Sequence, residues 1–347
     1  MYESVGYYLI GFASALLLTY LLTPLTEKIS RRLGIFMDLP GERRLHTDAV
    51  PRCGGLALWS GFQLSALVLL CLPGFERVSG NFSWEWWEHY LIASSVLLTL
   101  GLLDDHRSLS WWVKLLGQIA AATFMFSCGV SVNSILAVEL SALLDLIVTI
   151  LWFAAMINAF NLIDGLDGLA TGLAIAGAIG LALVSFMSRS PTDTIFLLTL
   201  VGACLGFLRF NFHPARIFLG DSGSMFLGFT LAAMALSRGA KITMLTALSI
   251  PLLAAGVPIF DTLLAIWRRA VRHWIGVQLS GGIAHADMEH LHHRLVRAGL
   301  SQRKVACLLY GVALLTAGVG ILSICLLYTS DAADDLLCVD LGGRRII

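Results

Sequence analysis

Apolar runs separated by short polar stretches set the pattern of this 347-residue chain. They fall at 5–26, 53–73, 89–103, 111–131, 135–157, 166–187, 192–209, 222–237, 242–267 and 304–326. Most approach the roughly 20 residues that an α-helix needs to cross a bilayer core. A soluble helical core would show apolar residues on one stripe, whereas these runs are apolar all round. The pattern therefore predicts an all-α, polytopic integral membrane protein with ten transmembrane helices and polar loops between them. The first run is long and lacks a basic stretch before it. It reads as a first membrane helix, not a cleavable signal peptide.

If the first helix starts outside, the connections 27–52, 104–110, 158–165, 210–221 and 268–303 fall on one side. With the helix ends beside them they carry most of the basic residues, among them Lys28, Arg31, Arg32, Arg52, Arg107, Arg209, Arg216, Arg268, Arg269 and Arg303. The opposite connections hold Arg77, Arg189, Arg238 and Lys241. The positive-inside rule then places the first set in the cytoplasm. Composition agrees: 57% of residues are hydrophobic and 13% charged, with a mean hydropathy of +0.81, against about 45–50% and 25% in soluble domains. Zero net charge gives no sign of nucleic-acid binding. The seven cysteines are scattered without a CxxC pair, so they read as packing residues and not as a disulfide framework or a zinc site.

Every polar cluster lies on the predicted cytoplasmic face: "DLPGERRLHTDAVPRCGG", "LLDDHRSLS", "NAFNLIDGLDG", "NFHPARIFLGDSGS" and "HADMEHLHHRL". One site assembled from five loops explains that shared side; independent structural polar residues do not. Asp104 and Asp105 end an apolar run, where adjacent carboxylates repel unless a cation pairs with them. With Asp164, Asp167 and Asp221 they make five aspartates near one face, a set suited to a hard ion such as Mg²⁺ that shares its shell with substrate phosphates.

In "NAFNLIDGLDGLA" the residues Asn158, Asn161, Asp164 and Asp167 repeat at a spacing of three. On an unbroken helix they would fan across half the circumference, so a shared ligand requires the helix to end there, as Gly165 and Gly168 permit. The rival reading has the amides holding two helices together. Asp221 lies in a glycine-flanked turn before an apolar run, where exposed backbone N–H groups suit a phosphate bridged to a metal. His290, His292, His293 and Arg294 fit cationic donors to a diphosphate, with a zinc site and a solvated loop as alternatives. Together these features point to phosphoryl transfer involving a lipid.

"DDHRSLS", "NAFNLIDGLDGLA", "NFHPARIFLGDSGS" and "HLHHRL", in that order, resemble the polyprenyl-phosphate N-acetylhexosamine-1-phosphate transferases. Within them the chain is most similar to the bacterial undecaprenyl-phosphate N-acetylglucosaminyl 1-phosphate transferases, over residues 1–326. The resemblance implies transfer of a sugar 1-phosphate from a UDP-N-acetylhexosamine to undecaprenyl phosphate. It implies Mg²⁺ or Mn²⁺ as cofactor and the bacterial inner membrane as location, with the lipid bilayer and a second copy of the chain as partners. It also implies roles for residues of this sequence. Asp221 and Asp164 would be metal ligands, and Asp104, Asp105, Asp164 and Asp167 catalytic acids. Asn161, Gly165, Leu166, Asp167, Asn211 and Phe218, with His290, His292, His293 and Arg294, would meet the nucleotide sugar. Arg43, Arg44 and His46 of the first loop, with Lys114, would meet the lipid phosphate.

Two features depart from that pattern. The acidic pair is often followed by a third acid, where this chain has Ser108. The segment 327–347, "YTSDAADDLLCVDLGGRRII" from Tyr328 on, shifts abruptly in composition, reads as foreign, and is expected to be a poorly ordered polar tail outside the transferase domain. Rival functions are a transporter, which would carry charges at mid-membrane in broken helices, a structural scaffold, and, within the family, a phospho-MurNAc-pentapeptide translocase.

Overall fold

The computed structural model describes residues 2–38, 49–79, 84–135, 138–236, 267 and 295–337, the last fifteen of these as backbone only. The expected span 242–267 therefore lies outside the described residues, save for Trp267. The chain order begins with α1 (Tyr2–Leu33), β1 (Met37–Asp38), β2 (Val50–Pro51), α2 (Gly54–Leu70), the short α3 (Phe75–Ser79), α4 (Trp84–His106) and α5 (Trp111–Ser127). Then come β3 (Ser134–Ile135), β4 (Val138–Glu139), α6 (Ala142–Ile163), α7 (Leu169–Met187), α8 (Pro191–Asn211) and α9 (Gly220–Ala235). After the undescribed stretch comes α10 (Gln302–Leu337). The strands form two antiparallel pairs, β1 with β2 and β3 with β4.

Among the described residues, five helices are long and apolar enough to cross a membrane: Val5–Leu33, Ala142–Ile163, Leu169–Met187, Pro191–Asn211 and Gln302–Leu322. The protein is mostly helical and built for a bilayer. At its centre, α7 and α9 are buried along nearly their whole length and α8 along most of it. Against them pack α1 on α8, α4 and α6 on α9, and α10 on α7. Lipid tails are as apolar as leucine, so close approach matters more here than a contrast with solvent. Gly202 and Gly206 of α8 supply it: a Cβ on either would lie 2.2 Å from Phe12 O or 2.5 Å from Leu16 O on α1. Aromatic rings fill the space farther from the site, with Phe62 meeting Phe196 edge-on at 4.8 Å and Tyr90 stacked near Phe229 at 5.6 Å.

Element boundaries differ from the apolar runs in instructive places. The run at 135–157 begins in the β3–β4 hairpin, not in a helix. Asn133 takes a left-handed φ of 65° there, and its N–H donates to the Asp145 carboxylate on the first turn of α6 at 2.7 Å. At its other end α6 runs to Ile163, so Asn158 and Asn161 are helical rather than part of a connection. The last helix continues past 326 to Leu337, contrary to the expectation of disorder from 327 onward; "DAADDLL" contains alanine and leucine, good helix formers that extend the preceding turns.

Candidate functional site

The site is built where α4 ends, α9 begins and α5 turns back beside α4. Gly220 has a φ of 75°, and a Cβ on it would lie 2.6 Å from the Asp105 carboxylate, so the turn opening α9 accepts only glycine. Asp105, with no exposed side-chain surface, receives the N–H groups of Asp221 (2.9 Å) and Ser222 (3.1 Å) and the Ser222 hydroxyl (2.9 Å). It therefore caps the start of α9 from a different helix, satisfying amides that a helix N-terminus leaves free. Arg52 Nε stands 3.6 Å from the same carboxylate.

Asp221 itself points the other way. Its Oδ1 meets Arg52 Nη2 at 3.3 Å and its Oδ2 meets Lys114 Nζ at 3.2 Å. Lys114, one turn into α5, also reaches Asp104 Oδ2 at 3.1 Å, while Asp104 Oδ1 accepts the Leu109 N–H at 2.7 Å and so closes the α4–α5 loop. On α6, Asn161 donates to Ser224 Oγ at 3.1 Å, and Asp164 follows as the residue that ends the helix. Asn158 and Gln118 exchange amide hydrogen bonds at 2.7 and 3.4 Å across α5 and α6. The chain thus uses its amides in part as the rival reading had it, to hold helices together.

A second group lies beside the first. Asp167 Oδ2 is 2.7 Å from His213 Nδ1 and accepts the Ala215 N–H at 3.1 Å, joining the α6–α7 break to the α8–α9 loop. Gly168, with a φ of 75°, starts α7, and its carbonyl accepts the Tyr310 hydroxyl of α10 at 2.6 Å. Asn211 is 2% exposed; its Oδ1 accepts from Thr171 and its Nδ2 donates to Ile217 O, so its polar atoms are spent on the loop. Phe218 is tied by its backbone to Pro51 O and to the Gly54 N–H. Gly165 is exposed in the break, and Leu166 is buried under it.

The electrostatics follow from crowding acids at the mouth of an apolar bundle. Burial pushes Asp105 up to about 7, with Arg52 opposing and Asp221 reinforcing the shift. Burial pushes Asp164 up to about 8; Arg52 opposes, and the Asp221, Asp105 and Asp167 carboxylates add to it. Burial also raises Asp104, which offers a hydrogen bond to Asp221. Asp221 is held below the usual carboxylate range because that hydrogen bond, Lys114, Asn161 and Arg52 outweigh its own burial. Arg52 is held up, against its burial, by Asp105 and Asp221.

Six expected residues, Asp104, Asp105, Lys114, Asn161, Asp164 and Asp221, are thus drawn together, with Asp167, Asn211 and Phe218 alongside. The residues Arg43, Arg44 and His46, and the set His290, His292, His293 and Arg294, lie outside the described residues. Sequence reasoning missed Arg52, counted only as a topology charge, and His213, Ser222 and Gln118, which carry no signal apart from their place inside or beside the motifs. Among the described residues no three His, Cys, Asp or Glu side chains form a ready-made metal cage. Asp164 nonetheless makes no hydrogen bond to the described residues, and Asp221 offers a second oxygen donor set nearby. Hard carboxylate oxygens of this kind fit a divalent cation that keeps most of its shell for water and phosphate.

The sequence profile of glycosyl transferase family 4 matches residues 87–239, the stretch that supplies α4, α5, α6 and α9. A probable undecaprenyl-phosphate N-acetylglucosaminyl 1-phosphate transferase of Bacillus subtilis is 35% identical over 309 residues, covering 87% of this chain and 80% of its own. A decaprenyl-phosphate N-acetylglucosaminephosphotransferase of Mycobacterium tuberculosis is 32% identical, covering 87% and 78%. A phospho-N-acetylmuramoyl-pentapeptide-transferase of Desulforudis audaxviator is 31% identical, covering 90% and 97%. Similarity of this extent reaches well past the matched profile, and the chain belongs to glycosyl transferase family 4.

Proposed function

We propose that the protein transfers N-acetylglucosamine 1-phosphate from UDP-N-acetylglucosamine to undecaprenyl phosphate, releasing UMP. The observation that carries this reading is the Asp221 carboxylate, fixed by Lys114 on one oxygen and Arg52 on the other, beside Asp104 and Asp164. That arrangement of acids and cations at the rim of an apolar bundle suits a diphosphate at a membrane surface. In the reaction an oxygen of the lipid phosphate bonds to the sugar-bearing phosphorus, and the bond from that phosphorus to the UMP oxygen breaks. Asp221 and Asp164 would hold Mg²⁺, or Mn²⁺ in its place, which when bound neutralises charge on the donor diphosphate. Lys114 would pass from the carboxylates to the acceptor phosphate. Arg52 and the Asp105 cap keep Asp221 in place, and Asp167 and Phe218 stand on the nucleotide side. Asn211 acts through the loop it holds. Catalysis of this kind is mostly positioning and electrostatics.

The same reading extends the five membrane-length helices to ten spans in residues 1–326, in the bacterial inner membrane, with the site facing the cytoplasm. The uneven placement of Lys and Arg supports that orientation. The names of the Bacillus subtilis and Mycobacterium tuberculosis relatives favour N-acetylglucosamine as the sugar. The Desulforudis audaxviator relative, matched over 97% of its length, keeps a pentapeptide-bearing N-acetylmuramic acid donor as a second reading. Membranes containing the protein, given undecaprenyl phosphate and labelled UDP-GlcNAc, UDP-GalNAc or UDP-MurNAc-pentapeptide, decide between them. Product from UDP-GlcNAc alone is expected, and product only from the pentapeptide donor would replace the first reading with the second.

A further inference from the structure

Asp167 is held in an asymmetric way. Both of its contacts, from His213 Nδ1 at 2.7 Å and from the Ala215 N–H at 3.1 Å, fall on Oδ2, and Oδ1 has no hydrogen-bond partner among the described residues. His213 is held in turn, because Arg303 Nε at the start of α10 donates to its carbonyl at 2.9 Å. Tyr310, two turns farther along α10, donates to the carbonyl of Gly168, the neighbour of Asp167. One helix therefore holds the backbone at or beside both partners of the pair. The Asp167 side chain is 18% exposed and His213 35%, so the pair faces an opening and is not sealed in the core.

We propose that His213 is a positioning residue for the donor nucleotide: by donating from Nδ1 to Asp167 Oδ2 it aims the free oxygen, Oδ1, as an acceptor toward the nucleotide. This rests on the reading above that Asp167 stands on the nucleotide side. A carboxylate accepts but does not donate, so the group it receives is an N–H or O–H of the donor's base or ribose. A carboxylate free to rotate would spread its acceptor over several directions, and the cost would appear in donor binding rather than in the chemical step.

The experiment uses the full chain in membranes, with UDP-GlcNAc as the varied substrate and undecaprenyl phosphate in excess. His213→Ala is expected to raise KM for UDP-GlcNAc about tenfold, the scale of one charge-assisted hydrogen bond, with kcat changed less than threefold. His213→Asn, whose amide N–H falls near the place of Nδ1, is expected to recover most of that loss, and His213→Gln, whose amide falls near Nε2, is not. Equal KM values for the Asn and Gln variants, or a fall confined to kcat, would overturn the proposal. These two variants decide it even if His213→Ala fails to insert. Asp167→Asn, measured alongside, separates the two failures. If it leaves KM for UDP-GlcNAc unchanged, the nucleotide-side reading of Asp167 is wrong. If it raises KM while no His213 variant does, only the role of His213 is wrong.

Discussion

Asp221 and Asp105 lie 116 residues apart and share a cluster, yet they do different work. Asp105 spends its oxygens on the backbone and hydroxyl of α9, whereas Asp221 presents both of its own to cations. Asp221→Asn keeps the shape and leaves the cap of α9 in place, so it should cut turnover by on the order of 10²-fold or more with an unchanged melting temperature. Asp105→Asn replaces one of the two accepting oxygens with a donor that faces an N–H of α9, so it should lower the melting temperature as well as the activity. Steady-state assays with thermal unfolding in detergent check both; normal turnover in Asp221→Asn at limiting Mg²⁺ would remove it from the metal site. The raised acids add a pH dependence. Asp164 at about 8 and Asp105 at about 7 are protonated in the fold at pH values where the unfolded chain has already ionised them. The stability they contribute is complete below the ordinary carboxylate value and is lost as pH rises through about 7 to 8. Without divalent cation the melting temperature should therefore fall between pH 6 and 9, and added Mg²⁺, which favours the ionised acids, should restore more of it at pH 8.5 than at pH 6. A cation effect independent of pH would contradict this. The acids were legible in the sequence because a charged residue in a chain this apolar needs a reason. Arg52 and His213 were not, since only the fold reveals that residues 52, 105 and 221, or 167 and 213, are neighbours.

At the scale of the element, the apolar runs located helices well where both flanks were polar, as for α7 and α8, and misplaced them where apolar residues served another purpose. Ile135 and Val138 belong to a hairpin, and a run of apolar letters does not distinguish a strand beside a membrane from the helix it leads into. The break between α6 and α7 was readable, because a repeat at a spacing of three cannot face one ligand on a continuous helix and Gly168 supplies the left-handed residue that restarts the chain. The close contact of α1 with α8 was not readable, although Gly202 and Gly206 stand four apart, because that spacing does not name the partner. It now gives a prediction. Gly202→Leu must displace the α1 backbone at Phe12 O, 2.2 Å from the first added carbon. It should lower stability by about 2–3 kcal/mol or block assembly of α1 on the bundle, as overpacking does. Thermal unfolding of the purified variant measures this, and a wild-type melting temperature would mean that the α1–α8 approach is looser than described.

At the scale of the whole molecule, α10 sets how far the end of the chain lies from the chemistry. Arg303 touches His213 beside the site, and Val305, Leu309, Ala313 and Ala317 bury one face of the helix in the bundle. From Arg303 the helix runs to Leu337 without a break. At 1.5 Å per residue, position 329 lies roughly 40 Å along the helix from the site, about the thickness of a bilayer with its headgroups. On the proposed ten-span topology, with the first helix starting outside, that end would lie on the periplasmic side. On that topology residues 329–347 do not reach the acids, and the buried side chains described on α10 run from Val305 to Ala317. We expect deletion of 329–347 to leave membrane insertion and transferase activity within about twofold of the full chain, on the scale at which exposed termini tolerate truncation. Labelling of a single cysteine placed at position 340 by a membrane-impermeant reagent, in intact cells and in inverted vesicles, fixes its side directly. A deletion that inserts normally but loses activity, or a position 340 accessible only from the cytoplasm, would overturn the ten-span topology and with it the placement of the site.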